Sequence, residues 1–160
     1  YLLKPISAAT IHMPLSFDPA QLRDALLQSL EVRRGIEAEA SMVAARKRTA
    51  EDLVIIERNL NEMERVHIAE GTSGPEDLAF HLAIYDATHN PLFRQLLEQM
   101  REAFLHFWDH PFERIDFARR TFPFHRTLFN AIVAQDPEAA RQETLKILDI
   151  VEEDIKEMSK

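Results

Sequence analysis

The stretch EDLAFHLAIYDATHNPL, residues 76–92, has the helical period and closes on Asn90-Pro91. At about 100° per residue, Asp77, His81, Ile84, Tyr85 and Thr88 fall on one side, with Phe80 at its edge. An acid and an imidazole one turn apart therefore sit in an otherwise core-facing stripe. The same period extends in both directions, no alternating strand pattern interrupts it, and capping signals cut the chain into about six helices. The reading is an all-α fold, an antiparallel bundle joined by short connections.

Asp18-Pro19 and Asp136-Pro137 each read as an N-cap followed by proline at the first helical position. The first helix is expected to run to about Lys47. Thr49 to Asp52 resembles a capping box for a second helix that ends at Gly71, before the EGTSGPED joint. A third spans Pro75 to His89, a fourth runs from Asn90-Pro91 to about Asp109 with His110-Pro111 as its stop, and a fifth begins near Thr121 with Pro123 in its first turn or kinking it. The sixth covers Pro137 to about Met158.

With 160 residues, 46% of them hydrophobic, and three glycines, the chain is long enough for one domain with a real core. No cysteine is present, which excludes disulfides and thiolate chemistry and leaves His, Asp and Glu as metal ligands. No apolar run approaches membrane-spanning length and the first residues lack a signal-peptide pattern, so the expectation is a cytoplasmic protein with no membrane role. A formal net charge of −8 opposes a phosphate-lined partner. This chain by itself is expected to bind DNA poorly.

His125 shares a face with Phe122, Leu128, Phe129 and Ile132, and so points inward like His81. Asp77 and His81 at i and i+4 can grip one ion, and a histidine from a facing helix completes three ligands. The plainer alternative is a buried Asp77–His81 hydrogen-bonded pair with His125 satisfied separately. His106 and His110 repeat the spacing, but beside Pro111 they suit a helix C-terminus, where a cation complements the dipole. His89 sits at another helix end, and His12 and His67 have no suitably spaced partner. On the first helix Leu26, Leu30, Arg33, Glu37, Ala40 and Ala44 form a stripe in which two charges interrupt apolar residues. Either Arg33 and Glu37 pair with each other, or Arg33 offers its guanidinium to a small acid inside the bundle. ERIDFARR, residues 113–120, reads as a solvated turn and helix start.

EVRRGIEAEA, EDLAFHLAIYDATHNPL and HRTLFNAIVAQDPEAAR, in that order, resemble the effector-binding C-terminal domain of FadR-type GntR transcriptional regulators, the FCD domain. The elements that carry the resemblance are Glu31, Arg33 and Glu37, the segment ending in His81, Asn90-Pro91, and the stretch from His125 to Asp136-Pro137. It covers nearly the whole chain, with residues 1–17 as linker remnant and short leading helix and residues 18–160 as the domain. The resemblance implies a six-helix bundle holding a small carboxylate, often beside a divalent metal bound by one Asp and three His. Carried over, Asp77, His81 and His125 match three ligands. The fourth position falls on Ile147, which belongs to the inward series Thr144, Ile147, Val151, Ile155 and Met158 and cannot ligate. Three ligands suit zinc or nickel, held more weakly than by four; a metal-free pocket for an acyl ligand is the other outcome.

Arg33 and Tyr85 are the candidate effector contacts. The resemblance further implies a homodimer, and DNA contact through a separate N-terminal winged helix-turn-helix domain absent from this chain. The expected role is the ligand-responsive, non-enzymatic half of a regulator. The rivals are a metal-dependent enzyme built on Asp77, His81 and His125, with His106, Glu37 or Tyr85 recruited as base, and a metal-free helical dimerisation module.

Overall fold

The computed structural model describes residues 21–97, 100 and 116–159. Among them every regular element is helical: α1 (Leu22–Lys47), α2 (Ala50–Glu70), α3 (Gly74–Asp86), α4 (residues 91–97), a 3₁₀ turn (Arg119–Thr121), α5 (Phe122–Val133) and α6 (Pro137–Met158). The expected start at Asp18-Pro19, the leading helix within residues 1–17, the far end of the fourth helix, His12, His106 and His110 lie outside the described residues.

Capping chemistry sets most boundaries. Thr49 closes its capping box, its hydroxyl accepting from Asp52 N while the Asp52 carboxylate accepts from Thr49 N. α2 stops at Gly71, where the left-handed φ of 78° suits glycine. Asp136 caps α6 by accepting from Ala139 N, with Pro137 in the first turn. Pro123 likewise occupies the first turn of α5, so it opens that helix and introduces no kink. One boundary differs from expectation: α3 ends at Asp86, not His89. The Thr88 hydroxyl donates to the Tyr85 carbonyl and accepts from Asn90 N, and His89 turns to φ 52°, so local side-chain bonding replaces the last helical turn.

Contacts along the bundle are antiparallel. Arg34 of α1 meets Asp149 and Glu152 of α6, whereas Ser41 meets Thr144. Asn59 of α2 reaches the Ala79 carbonyl of α3, and Asp52 at the other end of α2 meets His89. A large core joins Ile56, Leu60 and Met63 of α2 to Phe80 and Ile84 of α3 and to Leu128 and Ile132 of α5. A second cluster packs Leu26 and Leu30 of α1 on Leu148, Val151 and Ile155 of α6. Asp77 and His81 stand where these two apolar masses meet, beside Ile147 of the first and Val151 of the second. The expected α1 stripe is buried throughout, Arg33 and Glu37 included, and Thr144, Ile147, Val151 and Ile155 are buried on α6 with Met158 half-buried.

Candidate functional site

Asp77 lies in the first turn of α3 and His81 one turn later, and both face His125 on α5. One donor atom from each residue lies within 4.8 Å of the other two, a spacing that one metal ion can bridge. His125 Nε2 is 2.9 Å from Asp77 Oδ2, and His81 Nε2 is 3.5 Å from Asp77 Oδ1. Phe80 lays its ring edge-on to both imidazoles, which pins the ring planes. Of the two readings of this stripe, a simple Asp77–His81 hydrogen-bonded pair is not what forms, because the shorter approach is between Asp77 and His125.

The Nδ1 of His125 lies 3.0 Å from the Thr121 carbonyl, a pure acceptor, so Nδ1 carries the proton. In the neutral ring Nε2 is then a lone pair aimed at a carboxylate, and two acceptors that close need a positive charge between them. A proton on Nε2 supplies it, or a metal ion does. Both answers suit the geometry: at 2.9 Å the pair is close enough for an ionic hydrogen bond, while Asp77 Oδ1, buried and without a hydrogen-bond partner among the described residues, is left to face a cation. A carbonyl holding the far nitrogen of a ligating histidine is also how metal-binding imidazoles are oriented. The donor set, one carboxylate and two imidazoles, fits zinc, nickel or a similar ion.

The charge states of Asp77 and His81 agree with that fit, whereas that of His125 favours the proton. Burial favours a neutral Asp77, but His125, His81 and Arg33 together hold its carboxyl below the usual range. Burial, only partly offset by Asp77 and reinforced by His125, lowers His81 and keeps it a neutral donor. Burial also works against a charged His125, yet Asp77 outweighs it and raises the imidazole.

Arg33, Asp77, His81, Phe117, Ala118, Thr121, Ile147 and Val151 line a cavity of about 20 Å³ at this site. That is room for about one water or an ion, not an organic acid. Arg33 Nε donates to Glu37 within the same buried stripe, so the pair suggested by the sequence forms, and Arg33 still borders the cavity. Burial, then the Glu37 charge, raises the Tyr85 phenol well above its ordinary value, so it stays protonated. Tyr85 stacks near His81, with ring centroids 6.4 Å apart, but does not line the cavity. Ile147 does, at the position where the family's remaining histidine was expected. His67 stacks on Phe122 and His89 pairs with Asp52, so both serve packing. Phe117, Ala118, Thr121 and the buried Asp154 carry no motif in the sequence: the charge of ERIDFARR predicts a solvated turn, yet Phe117 and Ala118 form part of the cavity wall.

The FCD domain model matches residues 28–149. The chain is 34% identical to the HTH-type transcriptional regulator LutR of Bacillus subtilis (strain 168), over 94% of this chain and 71% of that protein. It is 31% identical to the galactonate operon transcriptional repressor of Escherichia coli (strain K12), over 74% of this chain and 52% of that one, and 28% identical to the Uxu operon transcriptional regulator of the same organism, over 81% and 53%. The chain thus spans about half the length of those two regulators. A solved structure described as Streptococcus agalactiae GntR superposes with a TM-score of 0.69 at 21% identity, covering 87% of this chain and 62% of that one, which supports the fold. The curated relatives are regulators, not enzymes, which removes the metal-dependent enzyme as a reading. The chain belongs to the FCD domain family of transcriptional regulators.

Proposed function

We propose that this domain senses a small organic acid and relays its binding to a DNA-reading domain elsewhere in the regulator. The observation that carries the proposal is the convergence of Arg33, Asp77 and His81 on one cavity inside an apolar bundle, with His125 behind them 2.9 Å from Asp77. Buried ionic groups are costly, and their concentration beside a cavity points to a charged occupant. Arg33 would dock a carboxylate, Tyr85 behind His81 would keep its hydroxyl protonated, and Asp77, His81 and His125 would hold a divalent ion. That ion would supply a second cationic contact for the acid. Two relatives regulate operons, one of them named for galactonate, itself a carboxylate. A net charge of −8 assigns DNA contact to another part of the regulator. The regulator is read as FadR-type, homodimeric and cytoplasmic. Among the described residues no helix is long and apolar enough to cross a membrane.

A metal-free version of the same sensor has its own support, since Asp77 raises His125 and an imidazolium there would satisfy the carboxylate without an ion. In both versions the ligand must bind two conformations unequally to act as a signal. Elemental analysis of the purified chain separates the two versions. A thermal-shift screen of hydroxy acids and sugar acids then tests the sensor itself: an acid that raises the midpoint for the parent and fails to do so for a folded Arg33→Ala variant supports it. If no acid moves the parent, the reading fails.

A further inference from the structure

Residues of one turn line both the buried cavity and an open concavity on the surface. Phe117, Ala118 and Thr121 border the inner space, while Asp116, Arg119 and Arg120, with Asp154 of α6, border an outer one of about 630 Å³. This turn is held in an unusual way. Ala118 adopts φ 56°, a left-handed conformation that a non-glycine residue keeps only when its surroundings impose it. Its N–H donates to Asp154 Oδ2 at 2.9 Å, and its carbonyl accepts from Thr121 N at 2.9 Å and from the Thr121 hydroxyl at 2.7 Å. The Asp154 carboxylate is itself buried, 2% exposed, and Arg120 closes over it with Nε at 3.1 Å and Nη2 at 2.5 Å from Oδ1. Arg120, by contrast, is half in solvent and has an alternative partner in Glu153.

We propose that the turn at residues 116–121 is the gate through which a ligand reaches the cavity, and that the Ala118–Asp154–Arg120 contacts are its latch. The proposal rests on the sensor reading above, because a cavity of about 20 Å³ must enlarge before it admits an organic acid. The strained Ala118 favours opening, and the hydrogen bonds to a buried charge favour closure; opposed terms of this kind allow a gate to move without unfolding the bundle. The gate is also wired to the imidazole. The Thr121 carbonyl that ends the turn holds His125 Nδ1, so a displaced turn releases His125 from its orientation. Ligand entry and the grip of Asp77, His81 and His125 are therefore linked, and each alters the other reciprocally.

The test needs neither metal nor acid. In the chelator-treated protein, modification of His81 by diethyl pyrocarbonate, followed by mass spectrometry, reports access to the cavity, and the more exposed His89 is the internal standard. Arg120→Met and Asp154→Ala should each speed His81 modification roughly 10- to 100-fold, the range expected for losing hydrogen bonds to a charged group, with His89 unchanged. Arg34→Met removes two ion pairs to the same helix without touching any contact of the turn and should leave His81 at the parental rate. Arg120→Met alters a half-exposed side chain, so it keeps the test decisive if Asp154→Ala does not fold. Parental His81 rates in folded Arg120→Met, or equal acceleration by Arg34→Met, would overturn the gate whether or not any acid binds. Failure of the acid screen alone would instead count against the sensor.

Discussion

Loading the triad with zinc or nickel should stabilise the folded chain by an amount set by mass action. Asp77 Oδ1 is buried without a hydrogen-bond partner among the described residues, and a cation held by the cluster would satisfy it. At about 100 times the dissociation constant the gain is about 2.7 kcal/mol. For a domain of this length each kcal/mol moves the midpoint by roughly 2–4 °C, so chelator-treated protein should melt roughly 5–11 °C higher once metal is restored. Differential scanning calorimetry with and without zinc or nickel measures the shift, and His125→Ala should abolish it. Ile147→His extends the test, because Ile147 is buried on the same cavity wall. Without metal the buried imidazole should lower stability by about 1–3 kcal/mol. With metal, a fourth ligand should tighten binding by at least roughly 10-fold, given that even outer partners are worth that much. A parent indifferent to zinc, nickel, cobalt and manganese at millimolar concentration, and still indifferent after Ile147→His, would refute the metal argument and leave the Asp77 carboxylate paired with a protonated His125.

Two further outcomes test the supports of the site. Glu37→Ala leaves the Arg33 guanidinium buried without the Glu37 carboxylate and should cost about 3–5 kcal/mol by urea denaturation, whereas the double replacement Arg33→Met with Glu37→Leu should recover most of it. Asp52 caps α2 and meets His89; burial acts to raise its carboxyl, but the Thr49 hydrogen bonds and His89 more than reverse this and hold it below its ordinary value. A depressed folded value means that its contribution is present above the unfolded carboxylate range, near pH 4, and disappears as pH falls through the lowered value. Asp52→Asn should therefore cost about 0.5–2 kcal/mol at neutral pH, and a stability–pH series should show the two proteins converging in acid.

Local chemistry made much of the molecule readable in advance. The capping box at Thr49, Gly71 at a helix end, the Asp136-Pro137 start and the buried stripes of α1 and α6 all depend on residues a few positions apart, and all formed as read. The inward positions of His81 and His125 followed from the same periodicity. The α3 terminus departed from its signal because Thr88 offered the backbone a competing partner, a choice between two local solutions that composition does not rank.

Periodicity determined which side chains point inward, and no more than that. It placed Asp77 and His81 on one face, left open whether Arg33 pairs with Glu37 or serves a ligand, and treated residues 113–120 as solvated because that run holds so much charge. Tertiary packing decided that Asp77 comes closer to His125 of α5 than to His81 of its own helix, and that Ile147 stands on the wall beside them. It also turned Phe117 and Ala118 inward while Asp154, some 36 residues later, took up the Ala118 N–H. The reason is that a helix face is a property of neighbours three and four apart, whereas a distance between helices depends on how two separate apolar masses pack around the charges between them.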